Sequence, residues 1–202
     1  MGGVRQFLLS LLLLLASASA PRAEVTLTFY SHHLGVYRSD VVFPHAHIAV
    51  KGTAGPDHKP VKANFGFTAE ETPPSILWEP VNGKIMSMPD DYITASKPHL
   101  SITISDEQYR TVLAVVDRWK KYPQPSYKLD THNCVTFVQD VALALKLPAS
   151  RSAKFARSPE AFLDDLQARV ANTDRALAAA RSRRPPLRQA RHANAKAVRV
   201  EN

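Results

Sequence analysis

The stretch Tyr127-Lys-Leu-Asp-Thr-His132-Asn133-Cys134-Val-Thr-Phe137-Val138-Gln-Asp140 decides how this chain is read. Near Asn133 an extended segment turns into a helix. Cys134, Val138, Val141 and Leu145 recur at helical spacing on one face, and Pro148 stops the run. Cys134 is the only cysteine, so it has no intramolecular disulfide partner. At the start of a helix, backbone N–H groups and the helix dipole favour a thiolate. A lone thiol in an exported chain is at risk of oxidation, and nucleophilic catalysis is the leading reason to keep one. The plainer alternative is a small buried hydrophobe on a helical stripe.

Outward from this helix the pattern is mixed. Val25 to Tyr30 alternates apolar and polar residues, the period of a half-buried strand. Pro44 to Lys51, Val61 to Ala69 and Leu100 to Ile104 read as further strands. Leu77 to Met88 reads as a hairpin about Asn82-Gly83, a strong turn pair. Ser105, with Gln108 three residues on, opens a helix carrying Val112, Leu113, Val116 and Trp119, which Pro123 and Pro125 end. Ser158-Pro159-Glu160 opens another, with Phe162, Leu163 and Leu166 as its buried side. The expected class is α+β, a mostly antiparallel sheet with helices packed on one side.

The ends differ from the middle. Arg5, the apolar run Phe7 to Leu15 and the small residues Ala16 to Ala20 read as a signal peptide, cut near Ala18, Ala20 or Ala23. An uncleaved anchor is the alternative, but the apolar run is too short to span a bilayer. The expectation is therefore a periplasmic or secreted protein with no transmembrane segment once mature. The formal charge is +8, yet residues 172–202 contribute +6 and the leader +2, so residues 24–171 are neutral overall. The expected organisation is a signal peptide at 1–23, one domain at 24–171 and a basic, disordered tail at 172–202. The start of that tail, Asp174 to Arg183, is a candidate helical extension. A basic tail suits an anionic surface. Specific nucleic-acid binding is disfavoured because the tail lacks aromatics for stacking.

His45 and His47 fall on one face of the second strand, where an imidazole can meet the sulfur. Two motifs carry a resemblance. Asn133-Cys134-Val-Thr-Phe137-Val138 looks like the Asn-Cys-x-x-Phe-Val signature of the lecithin retinol acyltransferase group. His45-Ala-His-Ile48-Ala-Val50-Lys-Gly52 resembles that group's His-x-x-Ile-x-Val-x-Gly strand. The group belongs to the circularly permuted branch of the papain-like, NlpC superfamily, and the order of the two motifs here is the permuted one. The resemblance implies a circularly permuted papain-like fold with Cys134 as nucleophile and His45 as base, His47 being the second choice. It implies no cofactor, and a substrate with an amide or ester bond, in cell-wall peptide or lipid. For the residue that orients the base, Asn64, Thr68 and His58 are the candidates.

Phe43-Pro44-His45-Ala46, Gly66-Phe67-Thr68-Ala69 and Asn133-Cys134 also resemble a set of exported bacterial proteins with no assigned reaction. Two other functions compete. One is a non-catalytic binding module on the same fold. The other is a metal site built on His45-Ala-His47 with help from His58, His99 or His132, although no acidic residue stands beside them as in known metal signatures.

Overall fold

Alternating residues place Val25, Leu27 and Phe29 in the core and Thr26 and Thr28 on the other face of the first strand. This is β1 (Val25–His32) of a computed structural model that describes residues 24–33, 35–37 and 40–182. Two short strands follow, β2 (Gly35–Tyr37) and β3 (Asp40–Val42), paired antiparallel with each other. Then come β4 (His45–Ala54), β5 (Lys59–Ala69), β6 (Gly83–Met86), a short helix α1 (Asp90–Ala95) and β7 (Lys97–Ile104). Three longer helices complete the chain: α2 (Asp106–Lys120), α3 (Cys134–Ala144) and α4 (Pro159–Ser182).

The main sheet has the order β6-β5-β4-β1-β7, and every neighbouring pair is antiparallel. Paired residues share a face. Phe29 lies opposite Ile48 and Leu27 opposite Val50, and together they make the apolar face. Onto it pack Val112, Val115 and Val116 of α2, Phe137, Val138 and Val141 of α3, and Phe162, Leu163 and Leu166 of α4. α3 lies over β4 and β5, and α4 over β1 and β7. The class is therefore the α+β arrangement expected, with the three long helices on one side.

Helix ends follow the sequence signals. Ser105 caps α2 in a complete capping box with Gln108. Pro159 is the first residue of α4. The hairpin expected about Asn82-Gly83 does not form. Leu77 belongs to a 3-10 turn, Pro74–Leu77, and Gly83 instead opens β6, which pairs with β5. The backbone of Gly83 is claimed by the Gln124 side chain, which accepts from its N–H at 2.9 Å and donates to its carbonyl at 2.8 Å. A distant side chain thus takes the polar groups that a local turn would have used. α4 continues without a break through residue 171, so the exposed residues 172–182 are helical, as the candidate extension from Asp174 anticipates. The leader and residues 183–202 lie outside the described residues. Among the described residues, no helix is long and apolar enough to cross a membrane.

Candidate active site at the start of α3

Asn133 sets the geometry of the thiol. Its side-chain oxygen accepts from the amides of Val135 (2.9 Å) and Thr136 (3.1 Å), which caps α3. Its side-chain nitrogen donates to the carbonyls of Leu129 (2.5 Å) and Ala156 (2.7 Å). Only this orientation of the amide satisfies all four partners. Asn133 is 2% exposed, so the cap is also an internal rivet joining the loop before α3 to the loop before α4.

Cys134 is thereby the first residue of α3, and its sulfur lies within reach of the backbone amides of Ala46, Val135 and its own residue. The amides favour the thiolate, as the helix-start argument expects. Burial opposes it and wins, because removing a charge from water costs more than a few amide dipoles return. The thiol is pushed up to about 11. In this enclosed state it is a neutral S–H.

The structure brings Cys134 to Ala46, the residue that follows His45. Alternation puts Ala46 and Ile48 on the helix face, in the same core cluster as Cys134. His45 and His47 leave from the opposite face, where their rings stack with centroids 6.1 Å apart. The β4–β5 ladder stops at Ile48–Phe65, so the strands part beside residues 45–47. No hydrogen bond joins the Cys134 thiol to His45, and His45 Nε2 is buried without a partner among the described residues. Burial holds His45 down at about 4 and His47 down at about 3, with positive charge on neighbouring histidines adding to the effect, so both rings are neutral at physiological pH. His47 is wholly buried with neither ring nitrogen bonded, stacked on Tyr30 at 5.3 Å.

The three candidates for orienting the base stand elsewhere. Asn64 spends its side chain on the Met88 backbone, donating to its carbonyl (2.9 Å) and accepting from its amide (2.6 Å). His58 is exposed in the turn between β4 and β5, with φ of 48°. Thr68 makes no hydrogen bond to either ring. His132 lies flat on Trp119 (4.0 Å, 9°) and its Nδ1 bonds the Ser126 carbonyl at 2.7 Å, so it serves the aromatic packing under α3. No three His, Cys, Asp or Glu side chains among the described residues converge as a metal site.

One polar chain was not legible in the sequence. Ser31 Oγ lies 2.7 Å from His99 Nε2, and His99 Nδ1 lies 2.9 Å from Asp164 Oδ1. A β-bulge places His99 there: Phe29 pairs with Leu100 and Tyr30 with Pro98, so His99 is the extra residue and its ring turns toward α4. With Asp164 ionised, Nδ1–H donates to it and Nε2 accepts from the Ser31 hydroxyl. The polarity is that of a hydrolase triad, but Ser31 is 1% exposed on a central strand of the sheet, away from the gap between β4 and β5. The chain instead ties β1, β7 and α4 together. His99→Ala is expected to cost about 2–4 kcal/mol, because it strands a buried hydroxyl and leaves a cavity. Urea unfolding measures this; a loss below about 1 kcal/mol would show the tie to be idle.

Fold and site together define an α+β domain whose single cysteine begins a capped helix against the parting of two strands. No protein-family model and no curated protein matches the chain. Among solved structures it is similar to the crystal structure of TseH, a type VI secretion system effector. The sequence identity is 14% and the TM-score 0.47, over 74% of this chain and 90% of that one.

Proposed function

We propose that this protein is an exported thiol hydrolase or acyltransferase acting on an amide or ester bond, with Cys134 as nucleophile and His45 as base. One observation carries the reading: the sulfur of a capped-helix cysteine meets the amide of Ala46, next to His45, where β4 and β5 part. The enclosed thiol and imidazole are both neutral. Ring and sulfur lie on opposite faces of β4, so the transfer runs across the gap where β4 and β5 part: as the sulfur attacks the carbonyl carbon its proton passes to His45, and backbone amides at the start of α3 support the developing oxyanion. The tetrahedral intermediate collapses when His45 returns that proton to the leaving nitrogen or oxygen. Water or another acceptor, deprotonated by His45, then attacks the thioester, and the proton goes back to the thiolate. Cell-wall peptide or lipid is the substrate class, and the basic C-terminal residues suit an anionic surface.

A second reading keeps the fold as a binding module without the reaction. It is favoured by the missing hydrogen bond between thiol and imidazole and by the enclosed sulfur.

The pH dependence of Cys134 alkylation by iodoacetamide separates the two. If His45 serves as base, the rate holds a plateau from about pH 5 to about pH 9, and His45→Ala lowers that plateau by at least ~10-fold while sparing the alkaline limb. If both proteins give one profile that rises only toward the alkaline limb, Cys134 is a core residue and the binding module stands.

A further inference from the structure

We propose that Gly66 is a positioning residue for His45: its bare Cα is the seat that holds the imidazole at the parting of β4 and β5. The proposal rests on the assignment of His45 as base, and extends the role of the Gly66-Phe67-Thr68-Ala69 motif, to which the reaction itself gives no part.

The argument is one of space. A Cβ built on Gly66 would stand 2.5 Å from His45 Nε2, 3.1 Å from Met88 Cε and 3.3 Å from His47 Cβ. The Met88 terminus can swing away and the His47 contact needs only a few tenths of an ångström. The His45 ring has to leave. Nor can the strand retreat, because Gly66 pairs with Met86 of β6 on its other side. The backbone does not call for glycine either. The glycines with positive φ are Gly52 and Gly55, so at Gly66 the missing side chain is what matters. Nε2 is buried on this seat without another partner among the described residues. The sulfur approaches the same parting from the helix side through Ala46. Gly66 therefore fixes where the ring lies beside that parting.

The test is the NMR titration of His45 in nitrogen-15-labelled full-length protein, assigned with His45→Ala and His47→Phe, alongside the Cys134 alkylation profile. His32 is the titratable group whose charge reaches His45, and the charge of His45 in turn reaches His47, stacked beside it. In Gly66→Ala the displaced ring is expected to titrate at least about one pH unit higher, toward the ordinary value of roughly 6.5. The alkylation plateau is expected to drop to that of His45→Ala. A folded Gly66→Ala protein with an unchanged His45 titration overturns the seat. If Gly66→Ala does not fold, the double variant with His45→Ala decides: removing the ring is expected to restore the melting transition, and failure to do so shows that the overlap lies elsewhere. If the titration moves while alkylation ignores both substitutions, the seat stands and the assignment of His45 as base falls.

Discussion

Asn133→Ala is expected to destabilise the domain by about 2–4 kcal/mol, among the largest effects of any single substitution at the site. Loss of a helix cap costs about 1 kcal/mol. The rest comes from the half-buried carbonyls of Leu129 and Ala156, which lose the amide that now bonds them. Each unmade bond to a buried group costs on the order of 1 kcal/mol or more. Asn133→Asp is the sharper comparison. Aspartate caps helices about as well as asparagine, so a cap alone predicts little change. Here the second carboxylate oxygen would face two carbonyl oxygens in a site 2% exposed. The aspartate variant is therefore expected to lose as much as the alanine variant or more. Urea midpoints of the three proteins at neutral pH measure it, and a near-native aspartate variant would mean that the two donated bonds contribute nothing. The thiol should respond as well, since Ala156 and Leu129 hold the loops on either side of it. Iodoacetamide is expected to reach Cys134 faster in both variants.

Acid should weaken the fold through His45 and His47. Their folded-state values, about 4 and about 3, lie below the value of 6.5 for the free side chain. The unfolded chain therefore binds more protons below that value, and stability falls with pH. The full contribution is present above about pH 6.5 and declines until the folded rings themselves protonate. Between pH 7.5 and pH 5 each ring should remove about 2 kcal/mol, or about 4 kcal/mol for the pair. That is a large share of the roughly 5–15 kcal/mol that holds a domain together. His47→Phe keeps an aromatic ring between Tyr30 and Tyr92 while removing two unbonded nitrogens. It should leave stability at pH 7.5 unchanged or raised, and halve the loss at pH 5. Equal losses in the two proteins would show that water or a neighbour already serves His47. The measurement is the urea midpoint at both pH values.

These predictions rest on features of different legibility. The capping box of α2, the start of α4 at Pro159 and the apolar stripe of α3 are local patterns that sequence periodicity exposes directly. The internal role of Asn133 is not, since half of its bonds run to Ala156, twenty-three residues away. The Asn82-Gly83 pair misled because Gln124, forty-one residues from Gly83, takes its backbone groups. In sequence His99 reads only as a spare metal ligand, because only a bulge in β7 turns its ring to Ser31 and Asp164.

The sequence by itself determined the class: alternating strands, then stripes of period 3.6 with caps, add up to an α+β domain because each pattern is local and repeats. It also singled out Cys134 as the residue at the head of a helix, through the lone thiol and the change of period beside it. Tertiary structure alone decided the state of that thiol. Helix-start amides favour the ionised form, yet packing under α3 and β4 buries the sulfur and keeps its proton on, since desolvation depends on neighbours contributed by the whole fold. It also decided which face of β4 each histidine takes relative to the helix, because a face is assigned only when neighbouring strands and helices pack against it.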